Sequence, residues 1–318
     1  MTSRLSVAVL DDYQRVALAS TDWTAVRVRA DISVFDDHVT DIDTLAARLA
    51  DCEVVVLMRE RTPFPADLLE RLPSLQLLVS TGRKNSAIDL AAAQLHGVAV
   101  CGTDSLSTAP AEHTWALILA AARNLDVELD NIRNGLWQST LGRGLSGRTL
   151  GVVGLGRIGS QVAAVGVSFG MNVLAWSPHL TAGRAEALGV RAVSKEELFR
   201  SADVVTLHLV LSERTRGVVG KNELALMKPS AVLVNTARSG LVDTGALVAA
   251  VGSGRLARVA LDVFDVEPLP ADDPLRHTPG VLATPHLGYV ADDVYSLFYS
   301  QVVEDILAFW DGSPVRVF

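Results

Sequence analysis

The sequence predicts an α/β protein made of two doubly wound parallel-sheet domains. Three observations lead there. Short apolar runs alternate with helical stretches along the chain, and one glycine-rich turn interrupts that alternation near its middle. The length, 318 residues, gives each half room for its own core.

In the first part the runs are Val7–Leu10, Val54–Leu57, Leu77–Val79 and Val98–Val100. Each is apolar throughout instead of alternating, as in parallel strands covered on both faces. Leu45–Leu49 and Ile88–Leu95 lie between them with helical spacing or Ala-rich composition, so this part reads as a βαβ array. A long helix is then expected from Ala111 to Ile132, with Pro110 in its first turn, where a missing N–H costs little. The apolar content from Trp115 to Ala122 implies a face buried between domains or subunits.

The second array opens on the apolar run Leu150–Val153, which leads into Gly154, Gly156 and Gly159 and then into a helix start at Ser160–Ala164. The spacing has a mechanical meaning in that context. Gly154 permits a tight turn, Gly156 lets the backbone approach a pyrophosphate, and Gly159 lets the helix pack close to the strand. The helix N-terminus offers N–H groups and a positive dipole end to phosphates. Further strands are expected at Val173–Trp176, Val204–Leu207, Ala231–Asn235, Val259–Leu261 and Val281–Ala283. Ser194 begins a capping box, and Asn222 and Asp243 read as helix caps. A last helix, Ala291 to Trp310, returns to the first domain. The expected division is therefore 1–105 plus 290–318, and 106–289, with a hinge near 100–110 and 286–292 and a cleft between the domains that closes over substrate.

Composition excludes several classes. With a net charge of −8, a pI near 5.4 and no Lys/Arg run, neither nucleic acid nor an anionic membrane is an expected partner. No apolar run approaches membrane-spanning length, and the first one stops at Asp11-Asp12, too short for a secretory segment. Only Cys52 and Cys101 occur, far from each other and from any His pair, which speaks against disulfides and metal sites. A cytoplasmic protein is expected.

In open α/β sheets ligands sit beyond the carboxyl ends of the strands. After Ala231–Asn235 come Thr236, Ala237 and Arg238; after Val259–Leu261 come Asp262, Asp265 and Glu267; after Val281–Ala283 come Thr284, Pro285 and His286. An Arg, a Glu and a His thus reach the rim that also carries the glycine turn. His113 and His208 read as structural by default, although His208 follows Val204–Leu207 and could line the cofactor site.

These stretches resemble the D-isomer-specific 2-hydroxyacid dehydrogenase family. The matching segments are 152–159, 208–211, 235–243, 261–270 and 284–288, in order and over essentially the full length. The resemblance implies a flavodoxin-like substrate domain and a Rossmann cofactor domain binding NAD or NADP. It implies an active site of Arg238, Glu267 and His286. Arg238 would hold the carboxylate and carbonyl of a 2-oxo acid with its rigid fork of donors. His286, a residue type that titrates near neutrality, would supply the proton, and Glu267 would stabilise the imidazolium and fix its tautomer. Cofactor contacts fall on Gly154, Gly156, Arg157, Ile158, Gly159, Ser177, Pro178, His179, His208, Thr236, Ala237 and Gly288, with Asp262 on the nicotinamide carboxamide. Thr81, Gly82, Arg83 and Lys84 match the loop that holds the substrate carboxylate, and Arg59 faces the same rim. Arg83 and Lys84 depart from the common pattern and read either as binders of a doubly charged substrate or as solvated cations.

The expected function is hydride transfer between NAD(P)H and a small 2-oxo/D-2-hydroxy acid of glyoxylate, hydroxypyruvate or phosphoglycerate type, in a homodimer without metal. The alternative is a dinucleotide-sensing, corepressor-like regulator on the same fold. The cofactor remains open between NAD and NADP. The acidic residue expected about 20 residues past the glycines is replaced by Ser177-Pro178-His179, and no Arg follows immediately; His179 and Arg184 are the nearest cations.

Overall fold

The computed structural model describes residues 4–318, which form two compact units. One runs to Leu106 and resumes at Ala291–Phe318; the other is Ser107–Val290.

In the first unit, β1 (Leu5–Val9), α1 (Thr24–Arg29), β2 (Ala30–Val34), α2 (Ile42–Leu49), β3 (Val54–Leu57), α3 (Ala66–Leu69), β4 (Leu77–Ser80), α4 (Leu90–Leu95) and β5 (Ala99–Gly102) follow in turn. The five strands are all parallel in the order β2-β1-β3-β4-β5, the flavodoxin-like arrangement. Every side chain of β3 and β4 is buried, which is why both read as unbroken apolar runs. β2 was not legible in the sequence: it is an edge strand whose Asp31 and Ser33 alternate with Ala30 and Ile32. Caps sharpen the helices, with the Asp41 and Asp89 carboxylates accepting the Thr44 and Ala92 amides.

The second unit contains α5 (Thr108–Arg123), α6 (Leu125–Arg133), β6 (Thr149–Val153), α7 (Arg157–Ser168), β7 (Asn172–Trp176), α8 (Ala182–Glu186), β8 (Arg191–Ala192), α9 (Lys195–Ser201), β9 (Val204–Leu207), α10 (Lys221–Leu226), β10 (Val232–Asn235), α11 (Thr244–Gly252), β11 (Arg258–Leu261) and β12 (Val281–Ala283). Its seven strands are parallel in the order β12-β11-β10-β9-β6-β7-β8. The order reverses between β6 and β9, the switch point of a Rossmann sheet. Finally α12 (Asp292–Trp310) buries Val294, Phe298, Val302 and Ile306, one helical face, in the first unit against β4 and β5.

Three expectations are corrected. The single helix over 111–132 is two helices, because Asn124 adopts a left-handed conformation (φ +51°) that ends α5 and starts α6. The apolar face of α5, Trp115, Ile118 and Ala122 included, is consumed inside its own unit against α7, β10 and β11, not at a subunit boundary. The cap of α10 is Gly220, not Asn222: Glu223 reaches back to the Gly220 amide at 2.9 Å. No helix among the described residues is long and apolar enough to cross a membrane.

Candidate active site

Trp176, Val153, Leu207, Asn235, Leu261 and Ala283 pair side by side across the second sheet in a single row. The next residue of each strand is the first beyond that row: Ser177, Gly154, His208, Thr236, Asp262 and Thr284. Since all six strands point the same way, these segments share one rim, at the switch point where such sheets hold ligands.

At the glycine turn the fold itself demands two of the three glycines. Gly154 has φ +102°, and a Cβ there would sit 2.7 Å from the His208 carbonyl carbon. A Cβ on Gly159 would lie 2.0 Å from the Gly154 oxygen. Gly156 differs, with nothing within 4 Å of its would-be Cβ. It borders open space where α7 begins, and no side chain caps the first turn over Arg157 and Ile158. Uncapped N–H groups at the positive end of a helix, beside a backbone stripped of Cβ, fit a dinucleotide pyrophosphate. His208 backs this turn. Burial pushes its imidazole down to about 3, so it is neutral, and its Nε2 lies 2.9 Å from Thr206 Oγ1. Ser177 is half-buried after β7, with Pro178 and His179 exposed.

Further along the rim, Nδ1 of His286 lies 2.6 Å from Oε2 of Glu267. The other carboxylate oxygen accepts the Phe264 amide at 2.8 Å, which fixes the Glu267 side chain. With Nδ1 committed to the carboxylate, Nε2 is the nitrogen left to exchange a proton. His286 holds φ +56°, a left-handed conformation that a non-glycine residue keeps only when its surroundings impose it. Asp262 imposes it. Fully buried, its Oδ1 accepts Thr284 Oγ1 at 2.6 Å and the Leu287 amide at 2.8 Å, while Oδ2 takes the Gly288 amide at 2.8 Å. His113 Nε2 from α5 reaches the same Oδ1 at 3.0 Å. Asp262 thus grips both sides of His286. Gly288 likewise spends its amide on Asp262. The Tyr289 ring stands edge-on to His286, centroids 5.2 Å apart.

Arg238 follows β10 on a loop clamped by buried Asn235, whose Oδ1 takes the Ala237 amide at 3.1 Å and whose Nδ2 donates to the Arg238 carbonyl at 2.9 Å. Arg238 Nη1 donates to the Ala237 carbonyl at 2.8 Å, and Thr236 Oγ1 is 2.7 Å from Thr114 Oγ1. His113 and Thr284 escaped sequence reasoning because they lie 171 positions apart in the chain. Asn235 clamps residues only two and three positions on, but nothing in the sequence shows that its side chain turns back to them.

Within the first unit, Arg59 and the 81–84 loop do meet. The Arg59 guanidinium covers Gly82 (φ +101°), where a Cβ would clash with Nη1 at 2.1 Å. Arg59 is itself left-handed (φ +57°), braced by its amide donating to Thr81 Oγ1 at 2.9 Å and by Asn85 Nδ2 donating to its carbonyl at 2.7 Å. The Thr81 and Gly82 amides are taken by the Leu57 carbonyl and Thr103 Oγ1, so the amides of Arg83 and Lys84 are those left to an anion among the described residues. The Arg83 side chain pairs with Asp104 on the surface, and Lys84 is exposed. Among the described residues no His/Cys/Asp/Glu cluster could hold a metal.

Comparison with known proteins places these features in one lineage. Residues 115–288 match the family described as D-isomer specific 2-hydroxyacid dehydrogenase, NAD binding domain. The chain belongs to this family. The D-3-phosphoglycerate dehydrogenase of Bacillus subtilis is 39% identical over 263 residues, covering 82% of this chain and 50% of that protein. The chain therefore spans about half the length of that relative. The glyoxylate reductase of Aeropyrum pernix is 37% identical over 295 residues, 89% of this chain and 87% of the relative. Among solved structures, a phosphoglycerate oxidoreductase from Vibrio cholerae superimposes with a TM-score of 0.93 at 40% identity, covering 97% of this chain and 100% of that one. The second unit is therefore the NAD(P)-binding domain of this family.

Proposed function

We propose that the protein is an NAD(P)-dependent oxidoreductase that interconverts a small 2-oxo acid and the D-2-hydroxy acid, of the glyoxylate, hydroxypyruvate or phosphoglycerate type. The observation that carries this reading is the Glu267–His286 pair, 2.6 Å apart on the rim that bears the glycine turn. The nicotinamide, when bound, supplies or accepts the hydride. His286 Nε2 gives the carbonyl oxygen its proton, and Glu267 stabilises the imidazolium that carries it. Arg238 binds the substrate carboxylate and polarises the carbonyl. Arg59 and residues 81–84 make the first unit the substrate domain, with the 107–290 unit holding the dinucleotide. A purely nucleotide-sensing protein needs no braced acid–base pair, which disfavours that alternative. The test is a spectrophotometric screen of 2-oxo acids with both reduced cofactors. Oxidation of cofactor by at least one acid is expected; dinucleotide binding without turnover across the panel would sink the reading.

We also infer a homodimer built on α6 rather than α5. Leu125, Leu129 and Ile132 lie along one face of α6 and are 45–58% exposed, with Leu136 at 60% and Trp137 at 75% in the segment just beyond its end. The segment that follows is fastened to α6: Glu128 accepts the Thr140 amide at 2.7 Å and its hydroxyl at 2.5 Å, and these bonds draw the carboxyl down to about 2. A rigid apolar face of this kind suits a second copy of the chain. Two buried free thiols, Cys52 and Cys101, suit the cytoplasm.

A further inference from the structure

We propose that the nucleotide end of this site selects NADPH over NADH, with the Arg184 guanidinium and the Ser177 hydroxyl receiving the ribose 2′-phosphate; this rests on the dinucleotide reading above. The paired row across the sheet sets Trp176 beside Val153, so Ser177 leaves β7 next to Gly154 as the latter leaves β6. In a Rossmann site this neighbourhood faces the adenine ribose, and a carboxylate there accepts its hydroxyls and repels a 2′-phosphate. Here no carboxylate is available. Not one Asp or Glu occurs from Asn131 to Ala185, a stretch that includes all of β6, the glycine turn, α7, β7 and the loop after it.

Cations are placed instead. Arg184, on α8, donates from Nη2 to the Leu155 carbonyl at 3.2 Å. That bond draws the guanidinium from the β7 side onto the glycine turn itself, leaving four N–H donors of a flat fork for another acceptor. Arg157 opens α7 two residues beyond Leu155, and His179 follows Ser177 and Pro178; both are exposed. The nearest acid in sequence, Glu186, comes only after Arg184 on the short α8. A dianionic 2′-phosphate meets uncompensated positive charge there, and an unmodified ribose gains little.

The experiment is equilibrium binding, read without turnover. NADPH and NADH quench or enhance intrinsic fluorescence on titration, and 2′,5′-ADP and 5′-ADP serve as probes of the adenosine end alone by calorimetry. The wild type should favour NADPH over NADH, and 2′,5′-ADP over 5′-ADP, by tenfold or more, with the preference shrinking as salt rises. Arg184→Ala should collapse that ratio towards one, and Ser177→Asp should invert it. Equal or tighter NADH binding by the wild type overturns the proposal, and a ratio unchanged in Arg184→Ala overturns the role of that residue. Failure of both dinucleotides to bind would instead bring down the dinucleotide reading itself.

Discussion

Asp262 and His286 never touch through their side chains, yet the first dictates the backbone of the second. The buried carboxylate bonds the Thr284 hydroxyl on one side of His286 and the Leu287 and Gly288 amides on the other, and the histidine between them is held left-handed. The replacement Asp262→Asn keeps the size but offers one oxygen where two are used. One amide of the loop then faces an NH2 group. Stability should fall by about 1–3 kcal/mol, and kcat should drop with His286 chemically intact. Thermal melts and a kcat/KM split check this; an unchanged kcat would show that the loop holds His286 without Asp262.

For the acid itself, His286→Ala should lower turnover by on the order of 10²–10⁴ while dinucleotide affinity stays near the wild-type value. Steady-state rates alongside fluorescence titration separate the two. Full activity in the variant would refute the assignment of the proton donor.

The three glycines of the turn should fail in different ways. Gly159→Ala forces a methyl to within 2.0 Å of a backbone oxygen and should destabilise the second unit. By contrast, Gly156→Ala meets open space and should fold with an unchanged melting temperature, yet lose most of its dinucleotide affinity. If both variants melt normally, or if Gly156→Ala binds as well as wild type, the placement of the pyrophosphate is wrong.

On the first unit, desolvation raises the Asp305 carboxyl from its ordinary value to about 7, with Arg316 Nε 2.9 Å away pulling the other way. Its folded pKa lies above its unfolded one, so the protonated form is favoured by folding. The resulting stability is fully present below about pH 4 and is lost as pH rises through 7. Wild-type melting temperature, measured against Asp305→Asn, should therefore decline between pH 5 and pH 8. A difference that stays flat over that window would contradict it.

If α6 carries the proposed homodimer contact, disrupting its bare face should yield a monomer. Leu129→Glu, on an exposed position, should leave the fold and its melting profile intact while light scattering reports a monomer. Persistence of the dimer would move the interface elsewhere.

Most of this architecture could be seen in the chain before any coordinates, for a physical reason. A buried parallel strand must be apolar on both faces, so Val54–Leu57 and Val204–Leu207 declare themselves. The edge strand Ala30–Val34 has one face wet and did not. Nor did the break at Asn124, where apolar residues continue on both sides and only one backbone angle changes. At the site, residues that must follow strands, Arg238, Glu267 and His286, were legible. Their supports were not: His113 acts through a partner that only folding brings near, and Asn235 ends an apolar strand whose sequence does not show the clamp it makes on Ala237 and Arg238.

The row from Trp176 to Ala283 has one more implication. It works as a common baseline from which every reactive segment is measured off. Lengthening or rewriting a loop above it alters one tool without disturbing the others, whereas slipping a single strand by one position would swap its side chains between the two packed faces and carry its tool to the wrong height. Chemistry on this scaffold is thus free to diversify above the baseline, while the strands beneath are held to their alignment.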